Sequence, residues 1–269
     1  MKLGSSDVSA VYLGSNEISQ IYLGTNDVYS AGGAAYVTDG LALYLDANDP
    51  ASYPGSGTTI SDLSGNGADA TINGALPYVA GSPSYFDFGT AIGSPYRIAP
   101  IGAGNTALQT LDDFTIEFWI NPSAYGGGNT KTIYMLNQNA SWGTPYPSIW
   151  LYMVNGTFYL ESFRGGFLNG GAIPFAATNG TWYQFYAIRS SSTGDFSIYQ
   201  NNTLVQTNSG TIPGTFDGDA TYGAQISGIT NENFYSLASG FGAIRVYNKR
   251  LDATERTQNW DATRAVYGL

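Results

Sequence analysis

The chain has 269 residues and a formal net charge of −10, with 14% aromatic and only 11% charged residues; extended disorder needs the reverse balance and is excluded for most of the length. Ten Lys and Arg against twenty Asp and Glu argue against a nucleic-acid binder, which needs clustered cations. With no cysteine and no histidine, disulfides, thiolate or imidazole metal ligands, cysteine nucleophiles and histidine bases drop out together.

The opening, Met1-Lys2-Leu3-Gly4-Ser5-Ser6-Asp7, has no apolar run of signal-peptide length. The longest apolar stretches, such as 41–45, fall far short of the roughly 20 residues a membrane span needs. The expectation is a soluble protein made in a cytoplasm, without membrane insertion.

Residues 3–30 repeat with a period of ten. Leu3-Gly4-Ser5-Ser6-Asp7-Val8, Leu13-Gly14-Ser15-Asn16-Glu17-Ile18 and Leu23-Gly24-Thr25-Asn26-Asp27-Val28 share one pattern: Leu-Gly, a small polar pair, an acid and a β-branched residue. The Gly-polar-acid steps are turn chemistry, and the intervening Val-Tyr-Leu and Ile-Tyr-Leu runs form strands. The pattern predicts a meander of three short strands joined by tight turns. So short a sheet buries no core alone, so it either docks on its own domain or is completed by neighbours; open edges favour the second. Leu3, Val8, Tyr12, Leu13, Ile18, Tyr22, Leu23 and Val28 are the candidate assembly residues. Small, uncharged residues 31–35 then read as a linker.

From residue 36 onward, short strand patterns alternate with turns. Strands are predicted at 41–45, 114–120, 149–154, 157–161, 182–188, 196–199, 204–206 and 241–247. In the second of these Phe114, Ile116, Phe118 and Ile120 share one face, with Thr115 and Glu117 opposite. Asn155-Gly156 and Asn201-Asn202 mark hairpins. Asn66, Asn73, Asn155, Asn169 and Asn179 each precede Gly and read as turn positions. Many short strands with glycine turns predict an all-β, two-sheet antiparallel sandwich. Asp252-Ala253-Thr254-Glu255 is a capping box that predicts one short helix to about Arg264, lying on the sandwich.

Several segments then combine into a resemblance. Gly40-Leu41-Ala42-Leu43-Tyr44-Leu45-Asp46-Ala47 with Asp62-Leu63-Ser64-Gly65-Asn66-Gly67, the strand Phe114-Thr115-Ile116-Glu117-Phe118-Trp119-Ile120, Thr181-Trp182-Tyr183-Gln184, and Ile244-Arg245-Val246-Tyr247-Asn248-Lys249-Arg250-Leu251 followed by Glu255 resemble concanavalin A-like (laminin-G/pentraxin type) jelly-roll domains of bacteriophage proteins. The likeness covers residues 36–269. The decade repeat resembles N-terminal segments of phage virion surface and fibre proteins. It implies an anchoring element at 1–30, a linker at 31–35 and a jelly roll at 36–269.

A glycosidase needs two placed carboxyl groups. The five glutamates, Glu17, Glu117, Glu161, Glu232 and Glu255, do not fall in the Glu-x-Asp-x-x-Glu or Glu-x-Asp-x-Glu spacing of laminarinase-like relatives; Glu117 and Glu161 read as solvent-face positions. Asp46 and Asp49 are candidate calcium ligands and Asp217-Gly218-Asp219 a second acidic cluster, although both also read as turn chemistry. Tyr125, Trp142 and Tyr146, in turn-rich loops, are candidate glycan-stacking rings; the bland alternative is that they cover the sandwich end or a subunit contact. Arg245, Lys249, Arg250, Arg256 and Arg264 hold half the basic residues and are expected to pair the helix with the sheet. The expected function is a non-enzymatic virion structural protein on the phage surface. Capsid decoration or a head fibre is favoured. It would be a homo-oligomer (a trimer favoured) contacting other virion proteins, with no cofactor except a calcium ion at most. A tail or neck fibre adhesin for host glycans is the alternative, and a polysaccharide depolymerase the third reading.

Overall fold

The computed structural model describes the backbone of the paired strands within 2–30, and residues 36–89, 96–109, 112–123, 130–136, 148–162, 168–210, 221–227, 237 and 239–269. The chain divides into two compact units, 38–252 and 1–37 with 253–269.

In the larger unit the strands are β7 (Leu41–Asp46), β8 (Thr59–Ile60), β9 (Ala70–Asn73), β10 (Tyr78–Val79), β11 (Tyr85–Asp87), β12 (Arg97–Ile101), β13 (Phe114–Pro122), β14 (Lys131–Leu136), β15 (Ile149–Val154), β16 (Thr157–Ser162), β17 (Leu168–Pro174), β18 (Tyr183–Arg189), β19 (Phe196–Gln200), β20 (Thr203–Asn208), β21 (Ala224–Ile226) and β22 (Ser239–Tyr247). They form an antiparallel sandwich of two eight-stranded sheets. The first sheet runs β10-β11-β22-β13-β18-β19-β20, with β7 also on β22; the second runs β17-β16-β15-β14-β21-β12-β9-β8.

Alternation fills the interior. Phe114, Ile116, Phe118 and Ile120 of β13, Ile244 and Val246 of β22, Leu151 and Met153 of β15, and Phe158 and Leu160 of β16 lie in one core. Phe158 joins the layers, edge-on to Phe118 at 6.0 Å and to Phe185 at 4.9 Å between ring centroids. Such pairs add about 0.5–1.5 kcal/mol each to their burial.

The outer face of β13 departs from the sequence expectation. Thr115, Glu117 and Trp119 are fully buried, so Glu117 is no solvent-face residue. The reason is lateral: β13 is central, and Glu117 lies between Arg245 of β22 and Tyr186 of β18 in register. Its Oε1 accepts from Arg245 Nη1 at 2.8 Å and from Gln184 Nε2 at 2.8 Å. The guanidinium lies 4.0 Å from the Tyr44 ring centroid. A buried charge is tolerated only when paired and hydrogen-bonded in this way.

Both short-loop hairpins form as the sequence predicts. Val154 pairs with Thr157, leaving Asn155 and Gly156 at φ 47° and 69°, the left-handed pair of a type I′ loop. Asn201 and Asn202, at φ 48° and 60°, do the same between β19 and β20. Asn169-Gly170, expected in a turn, instead lies inside β17. There Gly170 and Gly171 together oppose Leu160 in a bulge, with Gly171 at φ 75°, and a bulge uses glycine for the same left-handed reason as a turn.

In the smaller unit the decade repeat departs from a meander. It forms three separate two-stranded hairpins: β1 (Lys2–Leu3) with β2 (Ser6–Asp7), β3 (Tyr12–Leu13) with β4 (Asn16–Glu17), and β5 (Gln20–Leu23) with β6 (Asn26–Ser30). The polar-acid pairs, expected in turns, belong to strands: Leu3 pairs with Ser6, Leu13 with Asn16 and Leu23 with Asn26. The helix α1 (Ala253–Thr263) starts directly after Asp252, as the capping box predicts, and passes into a 3-10 turn at Arg264–Tyr267. Asn259 of α1 is buried and accepts the Val37 backbone N–H at 2.8 Å.

Candidate functional site

The feature best suited to binding lies on the second sheet, on the face away from the core. Since Leu151, Met153, Phe158 and Leu160 point inward, their neighbours Trp150, Tyr152, Tyr159 and Glu161 point outward. The type I′ hairpin sets these opposite one another: Tyr152 pairs with Tyr159 and Trp150 with Glu161. The rings form a ladder, Trp150 to Tyr152 at 4.3 Å between centroids and Tyr152 to Tyr159 at 5.1 Å and nearly parallel. Tyr152 and Tyr159 are half-buried, whereas Trp150 and Glu161 form a buried floor beside Met135, Thr132 and Gln225.

Polar groups are fixed around this ladder. Tyr152 Oη donates to Glu161 Oε1 at 2.6 Å, Trp150 Nε1 donates to Thr132 Oγ1 at 3.2 Å, and Gln225 Nε2 donates to Met135 Sδ at 3.4 Å. Burial pushes the Glu161 carboxyl above its ordinary value, with the Tyr152 hydrogen bond opposing in part. Glu161 thus lies on the outer face, as expected, yet is buried rather than solvated. It is the one carboxylate in the strands of this sheet. Flat rings with fixed hydrogen-bonding groups suit the C–H faces and hydroxyls of a sugar. A second carboxyl group, which glycoside hydrolysis requires, is absent from these strands.

The residues predicted from sequence fall elsewhere. Tyr125, Trp142, Tyr146, Asp217 and Asp219 lie outside the described residues, as do Val8 and Ile18 of the repeat. Leu3, Tyr12, Leu13, Tyr22, Leu23 and Val28 lie in the paired strands of the three hairpins. Asp46 and Asp49 act locally: Asp46 Oδ1 accepts from Asn48 N and Nδ2, its Oδ2 accepts from Tyr44 Oη at 2.8 Å, and Asp49 Oδ1 accepts from Ala51 N at 2.8 Å. Among the described residues no group of three acidic side chains converges as a metal site, and no helix is long and apolar enough to cross a membrane. Among the basic residues, Arg245 pairs with Glu117, Lys249 with Asp39, Arg250 with Ser190, and Arg264 with Asp261 one helical turn away.

Sequence reading missed Trp150, Tyr152, Tyr159 and Gln225. Part of the signal was present, because a two-residue loop at Asn155-Gly156 places opposite each other all positions whose numbers are equidistant from it. Gln225, brought in by β21 from a distant part of the chain, left no such signal.

A family model described as the concanavalin A-like lectin/glucanases superfamily matches residues 99–255, more than half of the chain. No curated protein matches the sequence. Among solved structures, the receptor binding domain of botulinum neurotoxin C/D mosaic serotype aligns with a TM-score of 0.62 at 14% identity, covering 84% of this chain and 52% of that one. The binding domain of botulinum neurotoxin DC aligns in complex with SialylT (TM-score 0.59, 14% identity, 84% and 52% covered). It also aligns in complex with rat synaptotagmin II (TM-score 0.59, 14% identity, 86% and 52% covered). The chain spans about half the length of these structures, and at such identity the likeness is one of fold.

Proposed function

The chain belongs to the concanavalin A-like lectin/glucanase superfamily, and from that premise we propose that it is a non-catalytic glycan-binding domain displayed on a bacteriophage virion. The observation that carries the binding reading is the Trp150–Tyr152–Tyr159 ladder over a single carboxylate. The solved neurotoxin structures, a binding domain in complex with SialylT and one from botulinum neurotoxin type C, whose cell entry is dependent upon interaction with two ganglioside molecules, support glycan recognition by analogy of fold. That Glu161 is the one carboxylate in the described strands of this sheet supports binding over hydrolysis. A glycan array with full-length protein tests this reading. Saturable binding that falls about tenfold or more in Tyr159→Ala is expected; no binding, or turnover of a polysaccharide, overturns it.

The virion role rests on the decade repeat. Three hairpins of so few residues are marginal alone, and we propose that neighbouring copies or other virion proteins complete them by strand pairing. Decoration of the head is favoured over a tail or neck fibre, since only residues 31–35 separate the repeat from the sandwich and leave no shaft. Multivalent display would then raise weak glycan affinity. Native mass spectrometry of the full chain against Leu3→Asp/Leu13→Asp/Leu23→Asp checks the assembly step. A defined oligomer, with a trimer favoured, that falls to monomer is expected; an unchanged oligomer sinks it.

A further inference from the structure

We propose that a sugar ring seats on the face of Tyr159 turned away from Tyr152, above the edge strand β17, and that this seat takes a pyranose with one face free of axial oxygens. The inference deepens the glycan-binding reading and rests on it. Within the ladder Trp150 is buried, at 5% exposed, and Tyr152 is flanked by Trp150 at 4.3 Å and by Tyr159 at 5.1 Å. Tyr159 ends the stack: among the described residues its ring stacks on Tyr152 alone, and it is half-buried. Tyr152 and Tyr159 stand in register on neighbouring strands, with their rings 10° from parallel. The second face of Tyr159 therefore looks toward β17, the next strand.

Ala172 of β17 pairs with Tyr159, and Pro174 with Thr157. Ile173 between them lies in the core, so Ala172 and Pro174 share the outer face with Tyr159, and both are exposed. A methyl group and a pyrrolidine ring stand lower than a phenol, so β16 and β17 form a step, with Tyr159 as the riser and β17 as the tread. Asn208 fixes the tread from the side: its Nδ2 donates to Gly170 O at 3.0 Å and to Ala172 O at 3.4 Å, and a Cβ at Gly171 would lie 2.8 Å from that nitrogen. A pyranose on this step lays its C–H groups on the aromatic face and brings its hydroxyls to the Tyr159 hydroxyl, which can both give and accept a hydrogen bond. Ala172 and Pro174 add C–H groups without a side-chain donor or acceptor, so the tread selects by shape. β-Galactosides and β-glucosides have a face on which every axial group is hydrogen. An α-mannoside has an axial oxygen on each face, O1 on one and O2 on the other, and either would hold the ring off the tyrosine.

The test titrates full-length protein with neoglycoproteins carrying β-galactosyl, β-glucosyl or α-mannosyl groups at one density, so that multivalency is matched. The two β-glycosides should bind about three- to tenfold tighter than the α-mannoside, the scale of one aromatic contact. Ala172→Leu places an isobutyl group on the tread at an exposed position and should lower β-galactoside binding about tenfold with the Tm unchanged. Thr71→Leu, also at an exposed position but on β9, well across the same sheet, should leave binding within about twofold. The wild-type ratio decides the sugar class even if Ala172→Leu does not fold. Equal or tighter binding of the α-mannoside overturns the class, and a folded Ala172→Leu with wild-type affinity overturns the seat on the step; the glycan-binding reading survives both. Binding on a glycan array with neither β-glycoside recognised overturns this inference alone. Silence across the array and all three probes overturns the binding reading and takes this one with it.

Discussion

Single buried polar groups in this molecule are used in opposite ways. Glu117 and Arg245, with side chains 0% and 2% exposed, form an ion pair inside the first sheet. The Arg245 guanidinium is held well above its ordinary value: burial alone would lower it, but Tyr44, Glu117, Tyr247 and Asp46 outweigh that. Glu117→Gln leaves the cation uncompensated and should cost about 3 kcal/mol, read from urea unfolding. Tyr134 is the contrast: its hydroxyl is buried in the core with no partner among the described residues. Tyr134→Phe removes that unsatisfied group and should stabilise the fold by about 1 kcal/mol, visible as a higher Tm. Glu161 titrates above the ordinary glutamate value of 4.5, so the folded state holds this proton more tightly than the unfolded one. Its contribution is therefore fully favourable below 4.5 and is lost as pH rises through the raised folded value. Glu161→Gln should flatten that segment of the stability–pH curve; an unchanged curve would show that burial does not shift this carboxyl.

Among the elements, the β15–β16 hairpin matters most, because its loop decides which side chains meet. Ordinary side chains are strained at φ 69°, where Gly156 sits. Gly156→Ala should cost about 1–2 kcal/mol and weaken glycan binding, since a shift of one residue would turn Tyr152 and Tyr159 away from the outer face. Near-wild-type affinity with full destabilisation would separate the loop from the ladder. This hairpin and the β19–β20 hairpin were legible because two left-handed residues in a row select asparagine and glycine. Asn169-Gly170 looked the same in sequence but serves a bulge, since turn and bulge ask for the same backbone freedom. Edge protection was not legible at all. The outer edge of β7 is closed by Leu63 N–H on Tyr44 O, Asp62 Oδ1 on Tyr44 N–H and Asn66 Nδ2 on Leu41 O, which satisfies backbone groups that would otherwise invite pairing.

On the scale of the whole molecule, a sandwich of two eight-stranded sheets stands as one unit and the decade hairpins share a second with the C-terminal helix. Both Asp46 oxygens already accept hydrogen bonds from Asn48 and Tyr44, so chelator should leave the Tm unchanged; a drop restored by calcium would instead assign the ion a structural place. Composition and alternation alone determined the all-β class, the principal strands, the helix start after Asp252 and the absence of thiol and imidazole chemistry. These are local properties, written in side-chain period, turn residues and residue inventory. Pairing across long separations decided the rest: that Glu117 is buried beside Arg245, that Glu161 is the floor of an aromatic face, that the repeat closes as three hairpins. Burial of a polar side chain and membership of a site depend on which strands become neighbours, and that choice belongs to the free energy of the assembled sheets rather than to any one segment.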